Sequence, residues 1–305
     1  MNPDHANQWK DALLDEILEA ISSSTFLAET LIFKGARVLA RHIPDVARQS
    51  LDIDANCTQE FVDKFPDRAE QARRLEAEFH VAIRRKFESQ NPVTKSLEYV
   101  RVLPQPPRNH PRGWNAFEVA IRVIDASLSS PKSVPTLRLD IAAPESLSEH
   151  STQEIEIGGR RLRVYSLERI AGEKLRAFLS STPAHQEKIQ RTGGALRVKD
   201  LYDLACIVRN TPLTETDFWN KVAAEFRTAC ESRFVDCDGW ATFSAVTDIA
   251  HGNYDKDPTL PKALPFESAW PAVHAIVQHF ERTGTTPFAF AMPSVPGLGD
   301  GTRAG

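Results

Sequence analysis

The stretch RQSLDID, residues 48–54, running on into Ala55 and Asn56, decides the fold reading. Leu51 and Ile53 alternate with Asp52 and Asp54, the period of two that gives a strand one apolar and one polar face. A strand over Ser50–Asn56 therefore puts both carboxylates on one face, where hard oxygen donors two residues apart suit a divalent cation. Exposed strands contain such pairs by chance, so the meaning of this one rests on its surroundings. Just upstream, Thr30-Leu31-Ile32-Phe33 is β-rich and too short for a helix, and it runs into Lys34-Gly35. Val38, Leu39 and Ile43 then resume helical spacing before Pro44. That order predicts strand, glycine turn, helix, a place where backbone N–H groups at a helix start can hold phosphates.

Outward from this centre, Trp9, Leu13, Leu14, Ile17, Leu18 and Ile21 predict a first helix that Ser22, Ser23 and Ser24 end. Residues 66–88 predict a charged helix with Ala69, Ala72, Leu75, Phe79, Ile83 and Phe87 on its apolar face. Strand signals follow at 97–103, 115–124, 134–141, 153–157 and 162–165, the last two joined by Gly158-Gly159 as a hairpin. Beyond 165 the alternation stops, and helices are expected at 166–181, 195–209, 214–232, 238–250 and 268–283. The fold class is α+β, a core of mixed β-sheet and helices over 1–165 and an all-helical domain over 166–285, with a flexible tail at 286–305.

Composition agrees with a folded chain: 305 residues, 41% hydrophobic, 26% charged and 8% aromatic, which excludes disordered and collagen-like classes. No apolar run reaches the ~20 residues of a bilayer span, and the first twenty residues are charged, so no membrane partner and a cytoplasmic location are expected. Cys57, Cys206, Cys230 and Cys237 are scattered without a C-x2-C spacing and are expected to be reduced. The net charge of −4 argues against a nucleic-acid partner, but residues 68–209 hold 24 Lys and Arg against 17 Asp and Glu. Arg68, Arg73, Arg74, Arg84, Arg85 and Lys86 form one cluster, Arg101, Arg108 and Arg112 a second, and Arg160, Arg161 and Arg163 a third. Each alone reads as a solvated face; three together read as a polyanion-binding surface.

A third carboxylate near the Asp52 pair is expected from Asp140 in LRLDI (137–141), with Glu118 as its rival. In the helical half, Lys174 follows Glu173, and Asp200 and Asp203 lie three apart on one helix face beside Lys199.

LIFKGARVL (31–39), RQSLDID (48–54), LRLDI (137–141), SLERIAGEKLRAF (166–178) and RVKDLYDL (197–204) together resemble the AbiEii/AbiGii nucleotidyltransferase toxins of the DNA polymerase beta-like superfamily, in order and approximate spacing over residues 30–205. The resemblance implies a nucleotidyltransferase core, a helical domain and a cleft between them. In it, Asp52 and Asp54 would bind Mg2+ and align an NTP, with Ser50 at the edge of the metal site and Asp140 as third acid. Lys34 and Gly35 would form the phosphate turn, Lys174 would contact the triphosphate, and Asp200 would complete the catalytic set, supported by Lys199 and Asp203. It further implies a toxin or phage-defence role with a separately encoded antitoxin, and transfer of a nucleotide to an acceptor, with tRNA expected from the basic middle segment. One departure stands out: Gly35-Ala36-Arg37 replaces the family's Gly-Gly-Thr or Gly-Gly-Ser. Arg37 is therefore expected either to grip a phosphate itself or to mark a degenerate site that binds nucleotide or RNA without catalysis. A nucleotidyltransferase acting on a small molecule, such as an aminoglycoside, is a third reading.

Overall fold

A computed structural model describes residues 3–44, 48–109, 114–130, 134–189, 195–233, 235 and 243–284. Helix α1 (Pro3–Ser22) ends at the serine run, whose last member, Ser24, caps α2 (Thr25–Thr30) by accepting a hydrogen bond from Leu27 N–H. Strand β1 (Leu31–Lys34) passes directly into α3 (Gly35–His42), and β2 (Ile53–Cys57) follows. Next come α4 (Gln59–Lys64), α5 (Arg68–Glu88), β3 (Lys95–Gln105), β4 (Ala116–Asp125), β5 (Leu137–Ala142), β6 (Thr152–Ile157) and β7 (Arg160–Tyr165).

These strands form one mixed sheet in the order β3-β4-β5-β2-β1-β7-β6. Strand β1 lies antiparallel to β2 and parallel to β7, while β2 lies parallel to β5. Alternation in β4 sorts its side chains: Phe117, Val119, Ile121 and Val123 are buried, whereas Glu118, Ala120, Arg122 and Ile124 stay half-exposed on the other face. The buried face joins one core with Leu13, Leu14, Ile17 and Leu18 of α1 and Leu75, Phe79 and Ile83 of α5. The opposite face is the one that carries the acids.

Described residues after Tyr165 are helical: α6 (Leu167–Ser180), α7 (Pro183–Lys188), α8 (Val198–Asn210), α9 (Thr216–Arg233), α10 (Thr247–Lys256) and α11 (Phe266–Arg282), with a 3-10 turn over Phe243–Val246. The α+β class and the change at residue 165 thus match the sequence. Three short helices, α2, α4 and α7, were not expected; at six residues each they are too short for a 3.6-residue period to show. The strand expected at 50–56 begins only at Ile53. The helix expected at 238–250 is described from 243, starting with the 3-10 turn. Arg112, Cys237 and the tail at 286–305 lie outside the described residues. Cys57, Cys206 and Cys230 are free thiols, as expected.

Helix α6 is the joint between sheet and helices, and Gly172 is what lets it approach α9. A Cβ at 172 would stand 2.6 Å from Phe226 N and 2.9 Å from the Glu225 carbonyl carbon, both backbone atoms that cannot swing aside. In an exposed helix, replacing Gly by Ala gains up to about 1 kcal/mol. Here overpacking reverses that sign, and Gly172→Ala should lose roughly 1–3 kcal/mol, read as a fall in thermal midpoint.

Candidate active site

The site is assembled at the end of β1 and the start of β2. Gly35 has φ +83° and opens α3 immediately after β1. The left-handed conformation favours glycine, and the space demands it: a Cβ there would overlap the Asp54 carboxylate. Register then places Asp54 opposite Lys34 on one side and Asp140 on the other, and Asp140 opposite Glu118. Asp52, one residue before β2, is exposed, and Ser50 Oγ donates to its carbonyl and its carboxylate at 3.1 and 3.3 Å.

Lys34, Gly35, Asp52, Asp54, Lys174, Lys199 and Asp200 line one cleft of about 340 Å³ between sheet and helices. Burial, then the charge of Asp52, pushes the Asp54 carboxyl up to about 6, against the opposing pull of Lys34, Asp140's repulsion adding to the rise. Burial and the charges of Asp52 and Glu118 raise Asp140 as well. Glu118 and Asp140 are therefore not alternatives: they are neighbours on adjacent strands.

Across the cleft, Lys174 Nζ donates to Asp203 at 2.5 Å and to Asp200 at 3.2 Å. Arg48 makes a two-pronged contact with Asp203, at 2.9 and 2.7 Å, and Arg197 Nε donates to Asp200 at 2.5 Å. Burial opposes the charges of Lys174 and Asp200, yet Lys174 is held above and Asp200 below the usual values because the partners outweigh it. Lys174 lines the cleft but is 7% exposed, so the lysine expected to contact a triphosphate is a buried, doubly paired group. Asp203 is fully buried beneath the cleft wall, and Lys199 is exposed, 3.9 Å from Asp257.

Arg37 corrects an expectation. Its guanidinium bonds Asp11 at 2.6 Å and Asp15 at 2.8 Å, both on α1, and the Ser50 carbonyl at 2.5 Å. It leaves the phosphate turn on the side away from the cleft, because its place on α3 points it at the acidic side of α1. Three further residues were not singled out by their chemistry. Arg48 and Arg197 are the first residues of RQSLDID and RVKDLYDL, so the motifs themselves carried the signal. Glu145, from the segment after β5, gave none; it pairs with Lys34 at 3.6 Å, Arg169 at 3.1 Å and Arg233 at 2.5 Å, and accepts from Tyr165 Oη at 3.1 Å.

The donor set near Asp52, Asp54 and Asp140 is oxygen-only and suits a divalent cation, which would relieve the repulsion that, after burial, raises Asp54 and Asp140. Among the described residues no three acidic, His or Cys side chains converge into a preformed cage. Asp54 and Asp140 are paired across β2 and β5 and Asp52 is near enough to perturb both, but the three do not form a closed centre.

The family model described as "Nucleotidyl transferase AbiEii toxin, Type IV TA system" matches residues 16–280. No curated protein matches. Among solved structures, a Helicobacter pylori protein titled as a nucleotidyltransferase superposes with TM-score 0.54 at 14% identity, over 94% of this chain and 100% of that one. JHP933 from Helicobacter pylori gives 0.52 at 15%, over 93% and 96%. MenT4, a nucleotidyltransferase toxin of Mycobacterium tuberculosis, gives 0.47 at 14%, over 90% and 84%. The first two likenesses establish the shared fold.

Two outcomes follow from the geometry. Arg37→Ala should destabilise the protein by roughly 1–3 kcal/mol, because a buried cation holding α1 to α3 is lost, while calorimetric titration finds nucleotide affinity unchanged. Asp54, raised in the folded state from 3.8 to about 6, binds more protons folded than unfolded between those values. Metal-free wild type should therefore lose stability as pH rises from about 4 to about 6, and Asp54→Asn should flatten that decline; equal slopes in thermal unfolding across this window would contradict the assignment.

Proposed function

The chain belongs to the AbiEii nucleotidyltransferase toxin family and is a nucleotidyltransferase, and from that premise we propose that it transfers a nucleotide from an NTP to RNA, with tRNA as acceptor, using Mg2+ held by Asp52 and Asp54 with Asp140 alongside. Membership in a Type IV toxin-antitoxin family implies a nucleotide substrate and a separate antitoxin. No described helix is long and apolar enough to cross a membrane. The observation that carries the reading is one cleft in which Asp52 and Asp54, with Lys34 beside Asp54, share the lining with Lys174, Arg176, Arg197 and Lys199 from the helical half.

In the proposed reaction an acceptor hydroxyl oxygen bonds to the α-phosphorus, the bond to the bridging α-β oxygen breaks, and pyrophosphate leaves with that oxygen. Bound Mg2+ would neutralise charge on the phosphates and polarise the phosphorus. The chain's own residues supply position and charge. Lys174 and Arg197 would face the leaving phosphates from the helical half and Lys34 from beside Asp54 on the sheet, and the N–H groups opening α3 add donors. Asp140, raised from its ordinary value by burial and by the charges of Asp52 and Glu118, would take the acceptor's proton. The paired state of Lys174 supports a positioning role as well as phosphate contact.

Arg37 pairs with Asp11 and Asp15 of α1 and does not grip a phosphate, so the second reading is a degenerate chain that binds nucleotide or RNA without transfer, and nucleotide binding with no label on any acceptor would favour it. A small-molecule acceptor has no comparable support, since the acids adjoin an arginine-bearing sheet face. The test is incubation of the purified protein with each α-labelled NTP, Mg2+ and total tRNA. Label should appear on RNA, and Asp52→Ala or Asp54→Asn should reduce it at least ~1,000-fold while preserving the circular dichroism spectrum. Label on protein alone, or on neither, would overturn the acceptor assignment.

A further inference from the structure

The acid-bearing face of the sheet continues past the cleft onto β5, β4 and β3, and its register orders the side chains into rows. The row nearest the cleft is Asp54, Asp140, Glu118 and Leu103. One step along, two residues or about 7 Å away, Arg138 lies opposite Ala120 and Ala120 opposite Arg101. The step after that pairs Arg122 with Tyr99. Acids thus give way to arginines within a single strand step.

The arginines are available. The Arg138 side chain is 64% exposed and its contact with Glu118 is a loose 3.7 Å, while Arg101 is exposed, has no carboxylate partner among the described residues, and lies 4.8 Å from the Tyr99 ring centroid. Exposed ion pairs of this kind contribute little and exchange readily for phosphate. A flat sheet face with guanidinium groups and a tyrosine is how single-stranded nucleic acid is held, phosphates on the cations and a base against the planar groups. A folded protein partner would need an apolar centre, and Leu103, 47% exposed, is the large aliphatic side chain of these rows.

We propose that this face carries the acceptor: a single-stranded RNA end lying across β3, β4 and β5, its phosphates on Arg101 and Arg138 and a base against the Arg101–Tyr99 pair, so that its terminal hydroxyl reaches Asp140. The inference rests on the reading of the chain as an RNA-directed nucleotidyltransferase and assigns the surface that serves it. Ala120 between the two arginines keeps the path low, and the adjacent acids repel phosphate and confine the strand's end to the one place where a cation can bridge them.

Fluorescence anisotropy with a labelled 12-nucleotide single-stranded RNA, without NTP, tests this on the full chain. Arg101→Ala and Arg138→Ala should each weaken binding roughly five-fold or more and lower the slope of log affinity against log salt by about 0.7. Tyr99→Ala should weaken binding about ten-fold with the slope unchanged. Arg282→Ala, exposed at the end of α11, should leave affinity within two-fold. Equal effects from Arg101, Arg138 and Arg282, no effect from any, absence of RNA binding by wild type, or equal affinity for a duplex of the same length would each overturn the proposal. Calorimetry with NTP on the same proteins separates the two readings: variants that bind NTP and keep full RNA affinity remove only this face. Wild type that binds RNA through these residues but no NTP removes the enzymatic reading instead.

Discussion

Asp203, fully buried on α8, holds Arg48 from the segment before β2 and Lys174 from α6, and the active-site geometry depends on that contact. With Asp200 and Arg197 it forms a group of three cations and two carboxylates at the back of the cleft. The side chains of Arg48, Lys174, Asp200 and Asp203 are buried, which costs several kcal/mol per ion, and each is paired, while Arg197, with its side chain 60% exposed, closes the group from the solvent side. The cost has a structural return. Arg48 lies four residues before Asp52, so the helical layer cannot slide along the sheet without stranding a buried charge. The separation between the acids of β2 and the cations facing them is therefore fixed by ion pairing, not by apolar packing, which tolerates small shifts more easily.

A second anchor, Glu145, lies on the other side of α6. Burial alone would raise its carboxyl, but Lys34, Arg233 and Arg169 hold it far below the usual range. Arg169 is itself fully buried and extends to Glu173 and Glu225, the latter also accepting from Ser148 and Ser151. Arg169 and Lys174 sit five apart on α6, so this one helix takes part in both anchors, with Ser166 capping its start at the end of β7. Gly172 between them allows the close approach to α9 that lets Arg169 reach Glu225. Helix α6 is thereby clamped at two points along its length, and the cleft wall it forms is stiff.

Much of this was legible in the sequence because it was periodic or local. The alternation around Asp52 and Asp54, the glycine turn and the paired acids of α8 each lie within a few residues, where spacing dictates direction. Asp140 was found because a strand pattern surrounds it. What escaped was long-range or short-lived in sequence. Glu145 sits in an irregular segment with no period, and its partners come from β1, α6 and α9. Arg37 was read by analogy with the hydroxyl it replaces, while its orientation depends on Asp11 and Asp15, more than twenty residues upstream. Lys174 was identified, but its burial follows from Asp203, which no local pattern reveals.

The acids of the cleft are only partly neutralised by its cations. Asp52, Asp54 and Asp140 repel among themselves on the sheet, and Lys34 and Lys174, which offset part of that at Asp54, make their ion pairs with Glu145 and with Asp200 and Asp203. The remaining repulsion among the acids is a cost the fold carries without a ligand. A polyphosphate with its counter-cation satisfies both sets of groups at once, the cation on the acids and the phosphate oxygens on the cations and the opening amides of α3. The altered turn is consistent with this: Ala36 remains at the cleft wall and keeps its N–H there, while Arg37 braces α3 from behind against α1. A hydroxyl lost from the turn removes one donor to phosphate, and the brace leaves the backbone donors and the Gly35 approach to Asp54 in place.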